Sequence, residues 1–179
     1  MLFIIITTPA CNLKCNYCGG TMHGMPSEIK YNLNTLKKFI SQYKDPTVAF
    51  YGGEPLLRAD IVKKMIETLP AKHFVINTNG YYITKLKNYL HKFDTILLSI
   101  DGRPNTTDYY RGKGCYNNVL KALNFLKTEE FPNEIIGRMT VSCKTNIYND
   151  VQHVLQHFPK VHWQIDAVWS KIWNLQEFK

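Results

Sequence analysis

The stretch Leu2–Gly20, LFIIITTPACNLKCNYCGG, joins a continuous apolar run to a loop that carries three cysteines within eight residues. The run Leu2–Thr7 ends at Thr8-Pro9, as expected of a strand buried on both faces. Whatever the cysteines hold therefore lies at the carboxyl end of that strand. The same arrangement recurs along the chain. Thr47–Tyr51 runs into Gly52-Gly53, His73–Thr78 ends at Asn79-Gly80, and Thr95–Ile100 ends at Asp101-Gly102. Glu134–Cys143 contains a fifth strand, and Val161–Val168 reads as a sixth.

Helical spacing fills the gaps. Leu33, Leu36, Phe39, Ile40 and Tyr43 mark one helix; Ile61, Met65, Ile66 and Leu69 mark a second, stopped by Pro70. Leu86, Tyr89 and Leu90 follow Thr84, read as an N-cap. Val119, Leu120, Leu123 and Leu126 mark a fourth helix, and Val151, Val154, Leu155 and Phe158 a fifth, between Asp150 and Pro159. Six strands alternating with five helices demand a parallel sheet covered by helices. An open doubly wound sheet and a curved partial barrel both satisfy this order. A length of 179 residues, without repeat or linker, predicts one domain spanning 1–179.

The formal net charge is +8, but the lysines are scattered; Lys37-Lys38 and Lys63-Lys64 are isolated pairs on helical faces. They read as solvated surface, so nucleic acid is not the expected partner. The N-terminus has no basic segment before its apolar run, and no apolar stretch reaches 18 residues, so neither a signal peptide nor a membrane span is expected. Five cysteines is an odd number, and disulfides between such close neighbours as Cys11, Cys15 and Cys18 would be strained. A reducing cytoplasm, with cysteines as metal ligands, is the better reading.

In parallel α/β folds the site forms at the carboxyl ends of the strands. Those ends read Thr8–Cys11, Tyr51–Pro55, Asn77–Gly80, Ser99–Gly102 and Arg138–Ser142, all polar or glycine-rich. Structural zinc wants four protein ligands, usually from two paired motifs. Here the spacing is C-x3-C-x2-C with no second pair, although His23 offers a fourth ligand. An iron–sulfur cluster held by three thiolates instead leaves one iron open, which is the mark of chemistry. Gly19 and Gly20 suit backbone passing close to such a cluster.

The C-x3-C-x2-C loop after the first strand, with an aromatic in Tyr17-Cys18, resembles the signature of radical S-adenosylmethionine enzymes. Gly52-Gly53-Glu54-Pro55, Thr78-Asn79-Gly80, Ser99-Ile100-Asp101-Gly102, Arg111-Gly112-Lys113-Gly114 and Arg138-Met139-Thr140-Val141 continue the match in order. The resemblance implies a partial (β/α)6 TIM-like barrel and a four-iron, four-sulfur cluster on Cys11, Cys15 and Cys18. The amino and carboxylate groups of S-adenosylmethionine would close the open iron. One electron would then cleave it to methionine and a 5′-deoxyadenosyl radical that takes hydrogen from a substrate. By the same resemblance Gly52, Gly53 and Glu54 receive the methionine ammonium, Tyr17 meets the adenine mostly through backbone, and Ser99 and Asp101 reach the ribose or methionine. Gly52-Gly53 also suits a plain strand-to-helix turn, and Asp101-Gly102 a local turn. Asn77 and Asn79 share a face, with a turn role for Asn79 equally open.

Arg138, Thr140 and Ser142 alternate with Met139, Val141 and Cys143, and a polar triplet in a buried strand suits a liganded lumen. Arg138 and Arg111 are both candidates for a carboxylate. Gln164 and Asp166 could line the substrate end, and Cys115 and Cys143 read as structural thiols. The stretches "FYGGEPLLR", "SIDG" and "RGKG" resemble peptide-maturing relatives, which implies a peptide or protein substrate and a one-electron reductant of flavodoxin or ferredoxin type. The same chemistry on a nucleoside or small molecule, a glycyl-radical activase, and a non-enzymatic metal- or nucleic-acid-binding module are the alternatives. Trp169–Lys179, with Trp169 and Trp173, reads as a final helix or as the dock of a further, cluster-bearing C-terminal domain.

Overall fold

The computed structural model describes residues 1–19 and 25–166. His23, Gly20 and the segment Trp169–Lys179, discussed above, lie outside them. The elements in chain order are β1 (Leu2–Thr8), α1 (Leu33–Ile40), β2 (Thr47–Gly52), α2 (Ala59–Thr68), β3 (His73–Thr78), β4 (Thr95–Ser99), α3 (Pro104–Arg111), α4 (Cys115–Thr128), β5 (Glu134–Val141), α5 (Ile147–Leu155) and β6 (Lys160–Ile165). The strands form one sheet in the order β1-β2-β3-β4-β5-β6, and every neighbouring pair is parallel.

That order decides between the two architectures left open by the sequence. Crossovers between parallel strands are right-handed. A strand order that never reverses therefore puts all helices on one face, as in a barrel, whereas a doubly wound sheet must reverse. The register shows the helix-covered face directly. Ile5, Phe50, Ile76, Ile96 and Ile135 are successive partners across five strands, and all are buried. They pack with Val62 and Met65 of α2 and Val119 and Leu123 of α4. The opposite, inner face carries Leu97, level with Asn77, and, lower on the strands, Ile4, Ala49 and Val75 in one register row. Above them lie Tyr51, Asn77, Ser99, Arg138 and His162, the last three in one register row.

Three expectations need correction. Between β3 and β4 the chain forms a 3-10 helix, Ile83–Lys92, capped by Tyr82 without a side-chain bond; Thr84 lies inside it. Between β4 and β5 there are two helices, because the polar segment Pro104–Arg111 is helical as well. Finally, α5 begins at Ile147 with Asn146 as its cap, so Asp150 is within the helix rather than before it. β6 ends at Ile165, and Ala167 and Val168 are outside the described residues. Among the described residues no helix is long and apolar enough to cross a membrane.

Asp150 has a different task from capping. Its side chain is fully buried, and its Oδ1 accepts hydrogen bonds from Arg103 N at 2.9 Å, Arg103 Nε at 2.9 Å and Thr106 Oγ1 at 3.1 Å. Oδ2 accepts from Asn146 N at 2.9 Å. Burial opposes ionisation, but these donors outweigh it and hold the carboxyl below its ordinary range. A depressed folded-state value stabilises the fold above the unfolded carboxyl pKa, near 3.9, and that stabilisation disappears as pH falls through the folded value. Asp150→Asn should therefore cost about 2 kcal/mol at neutral pH and flatten the acid limb of stability against pH. Urea unfolding at several pH values checks this; an unchanged acid limb would remove Asp150 as its source.

Candidate active site

The rim where β1, β2 and β3 end is built by close backbone contact. Gly53 N donates to Thr8 O at 2.9 Å, and Glu54 N donates to Ala10 O at 2.8 Å. A Cβ on Gly53 would lie 2.2 Å from Ala10 O, and one on Gly52 2.3 Å from Thr8 O. Gly52 also has φ +132°, which favours glycine. The sequence reading gave both glycines to the approach of a ligand. In the structure their missing side chains admit the cysteine loop itself.

Glu54 is likewise occupied within the protein. It is buried, and its carboxylate accepts from Leu56 N at 3.0 Å, Thr78 Oγ1 at 2.7 Å and Asn79 N at 2.8 Å. Burial pushes its pKa up, and the three donors work against that. Glu54 thus staples the end of β2 to the end of β3. Thr78, which sequence reasoning passed over as a site residue, is half of that staple. Asn79 takes the turn role left open for it and also braces the cysteine loop. Its Oδ1 accepts from Tyr81 N at 3.2 Å, a turn, and its Nδ2 donates to Asn12 Oδ1 at 2.8 Å and approaches Cys11 Sγ at 3.9 Å, bracing the cysteine loop. Asn77 is half-buried on the inner face, and its Oδ1 has no hydrogen-bond partner among the described residues.

Cys11 and Cys18 are exposed and Cys15 is half-buried. Burial raises the Cys11 pKa and pushes Cys15 up to about 11, with the Arg111 charge pulling Cys15 back. A metal that binds here must displace the thiol protons. Among the described residues no three His, Cys, Asp or Glu side chains gather around one point as a single ion requires. Zinc draws its sulfurs to about 2.3 Å of one centre, whereas a cluster spreads three thiolates over three irons. Three cysteines on one loop, two exposed and one half-buried, with the Asn79 amide close to Cys11 Sγ, fit a cluster that each of them would hold by a different iron.

The next layer holds the loop from behind. Tyr17 is buried, and its hydroxyl donates to Asp101 Oδ2 at 2.7 Å. Arg111 Nη2 donates to Asp101 Oδ1 at 2.8 Å, its Nε lies 2.7 Å from Oδ2, and Thr140 N donates to Oδ1 at 3.0 Å. A carboxylate offers roughly four acceptor positions, and three of those of Asp101 are taken by hydrogen bonds inside the protein. Asp101 and Arg111, both expected to reach the cofactor, are engaged with each other. Ser99 faces inward in register with Arg138. Arg138 is half-buried, donates to Thr140 Oγ1 at 3.1 Å, and has no ion pair among the described residues. Of the two arginines, Arg138 is the one with a guanidinium to offer. Ser142 and Asp166 are buried together, with Ser142 Oγ 3.4 Å from Asp166 Oδ2, while Gln164 is exposed. Cys115 lies 3.6 Å from the Tyr81 hydroxyl and Cys143 3.7 Å from that of Tyr110.

The chain is similar to known proteins in sequence and in fold. The Radical SAM superfamily matches residues 5–157. A 7-carboxy-7-deazaguanine synthase of Clostridium acetobutylicum is 30% identical over 168 residues, covering 82% of this chain and 71% of that protein. An Fe-coproporphyrin III synthase of Methanosarcina barkeri is 30% identical over 132 residues, 68% of this chain but only 33% of its own. Among solved structures, "Native anSMEcpe with bound AdoMet" superimposes with a TM-score of 0.74 at 21% identity, covering 93% of this chain and 52% of that one. Streptococcus suis SuiB bound to precursor peptide SuiA gives 0.72 at 16% identity, covering 96% and 41%. At such identities the structures attest the partial barrel alone. The match over 5–157, together with the three-cysteine loop on the first strand end, places this chain in the Radical SAM superfamily, whose members use a four-iron cluster and S-adenosylmethionine.

Proposed function

We propose that this radical S-adenosylmethionine enzyme removes hydrogen from a peptide or protein. The supporting observation is the reach of the inner face. Six neighbouring strands at roughly 4.8 Å spacing make an arc of about 24 Å, the length of about seven extended residues. The arc offers apolar floor at Ile4, Ala49, Val75 and Leu97 and polar groups at Asn77, Ser99, Arg138 and His162 along the rim. Cys11, Cys15 and Cys18 would hold the cluster, and Arg138 beside Ser99 would take a carboxylate, of methionine or of the substrate. Asn77 Oδ1 would accept a ligand donor. The cluster and S-adenosylmethionine, when bound, supply a one-electron route to hydrogen-atom abstraction. The protein's part is to fix that geometry and keep water away. The electron would come from a small reductant of flavodoxin or ferredoxin type.

The identity to a 7-carboxy-7-deazaguanine synthase favours a second reading, a small heterocyclic substrate. One experiment separates the two. Anaerobically reconstituted protein, S-adenosylmethionine and dithionite are mixed with a deuterated peptide pool or, separately, a deuterated peptide-free metabolite pool. Deuterium is expected in 5′-deoxyadenosine from the peptide pool. Enrichment from the metabolite pool alone would overturn the peptide reading.

A further inference from the structure

The last turn of α3 grips the cysteine loop. A helix end leaves carbonyls without helical partners. Here Asn16, between Cys15 and Tyr17, takes two of them: its N donates to Tyr110 O at 2.8 Å and its Nδ2 to Tyr109 O at 2.8 Å. The rings of Tyr17 and Tyr110 are 5.4 Å apart. One residue further, Arg111 carries the carboxylate that receives the Tyr17 hydroxyl. The guanidinium also lies 5.7 Å from the centre of the Tyr17 ring. Arg111 is 8% exposed and Asp101 not at all.

Such a pair is a weak source of stability, because desolvation offsets most of the attraction. What it does offer is a fixed geometry and a balanced charge. Tyr17 lies between the second and third cysteines, so the hydroxyl that Asp101 receives sets where Cys15 and Cys18 stand. We propose that Arg111, acting through Asp101 and Tyr17, is a positioning residue for the iron–sulfur cluster: it locks the loop between Cys15 and Cys18 and cancels the buried Asp101 charge behind that loop. This rests on the superfamily assignment, and it replaces a direct cofactor contact for Arg111 and Asp101. An uncancelled carboxylate behind the loop would disfavour the reduced cluster, and the lock slows the loss of iron.

Three variants of the reconstituted holoenzyme test this, read by redox titration of the cluster signal and by iron release to a chelator. Arg111→Met should move the midpoint potential to more negative values and speed iron release by about tenfold or more, the worth of one hydrogen bond to a charged group. Arg111→Lys keeps the charge but not the planar fork, so the potential should stay while iron leaves faster. Tyr17→Phe leaves the Asp101–Arg111 pair and the core intact, and should also speed release without moving the potential. A merely structural role would lower the melting temperature of Arg111→Met and leave both readouts at wild-type values; that result would overturn the proposal. Fast iron release from Arg111→Met alone, with Tyr17→Phe unchanged, would overturn the route through Tyr17. Wild-type protein that never takes up iron would instead count against the superfamily chemistry, so the two failures are distinguishable.

Discussion

Gly53→Ala is expected to yield a protein that cannot load iron. The added Cβ would sit 2.2 Å from Ala10 O and 2.5 Å from Pro9 O. Both are backbone atoms of the strand exit that becomes the cysteine loop, so no side chain can rotate away. Relief requires the loop to retreat by the better part of an ångström, which breaks the Gly53 N–Thr8 O and Glu54 N–Ala10 O bonds. Each hydrogen bond lost costs about 0.5–1.5 kcal/mol, so the two together should cost about 1–3 kcal/mol locally. Cys11 lies one residue beyond Ala10, and its position goes with the loop. Iron per chain after anaerobic reconstitution is the measurement, and a full load in Gly53→Ala would show that the loop does not depend on this contact.

The cysteines should divide as sharply. Cys11→Ala, Cys15→Ala or Cys18→Ala should reduce bound iron from about four per chain to almost none, because a four-iron cluster already short of its fourth thiolate cannot spare another. Cys115→Ala and Cys143→Ala should keep the full load, since each thiol is engaged with its own tyrosine hydroxyl. Iron and sulfide analysis of the five variants, made anaerobically with iron supplied, decides the matter. Stoichiometric zinc in place of iron in the unaltered protein would defeat it.

All six strands were legible in the sequence, the inner ones because a strand covered by helices on one face is rich in apolar residues, and β6, half polar and largely exposed, by its place after the fifth helix. α3 was not. Its first turns are Pro104-Asn105-Thr106-Thr107-Asp108, which shows no apolar period, and it is held by specific bonds instead. Asp108 spends its carboxylate on Gly114 N at 2.7 Å and Tyr116 N at 2.8 Å, starting α4. The signals available were Pro104 at the first turn and Gly112 just past the last. The rim residues were found by type but not by partner. Glu54 and Asp101 are the polar groups one would aim at a ligand. Yet Asp101 and Glu54 each accept three hydrogen bonds from the protein, because a buried carboxylate must be satisfied before it can be useful. No spacing rule reveals a bond such as Tyr17 to Asp101, which spans 84 positions.

The strand order also sets a timetable. Neighbouring strands are consecutive in sequence, so each can pair as soon as it follows its predecessor from the ribosome. The cysteine loop emerges near the start, but its holders arrive in instalments, with Asn79 between the two main ones. The β2 turn at Gly53 and Glu54 becomes available first, and Asp101, Tyr110 and Arg111 only after twice that length of chain. While residues 55 to 100 are being made the three thiols lack the Asp101 and Arg111 side of their support. Maturation of the metal centre is thereby deferred until α3 has folded, and in that interval the nascent chain relies on a reducing environment to keep Cys11, Cys15 and Cys18 apart.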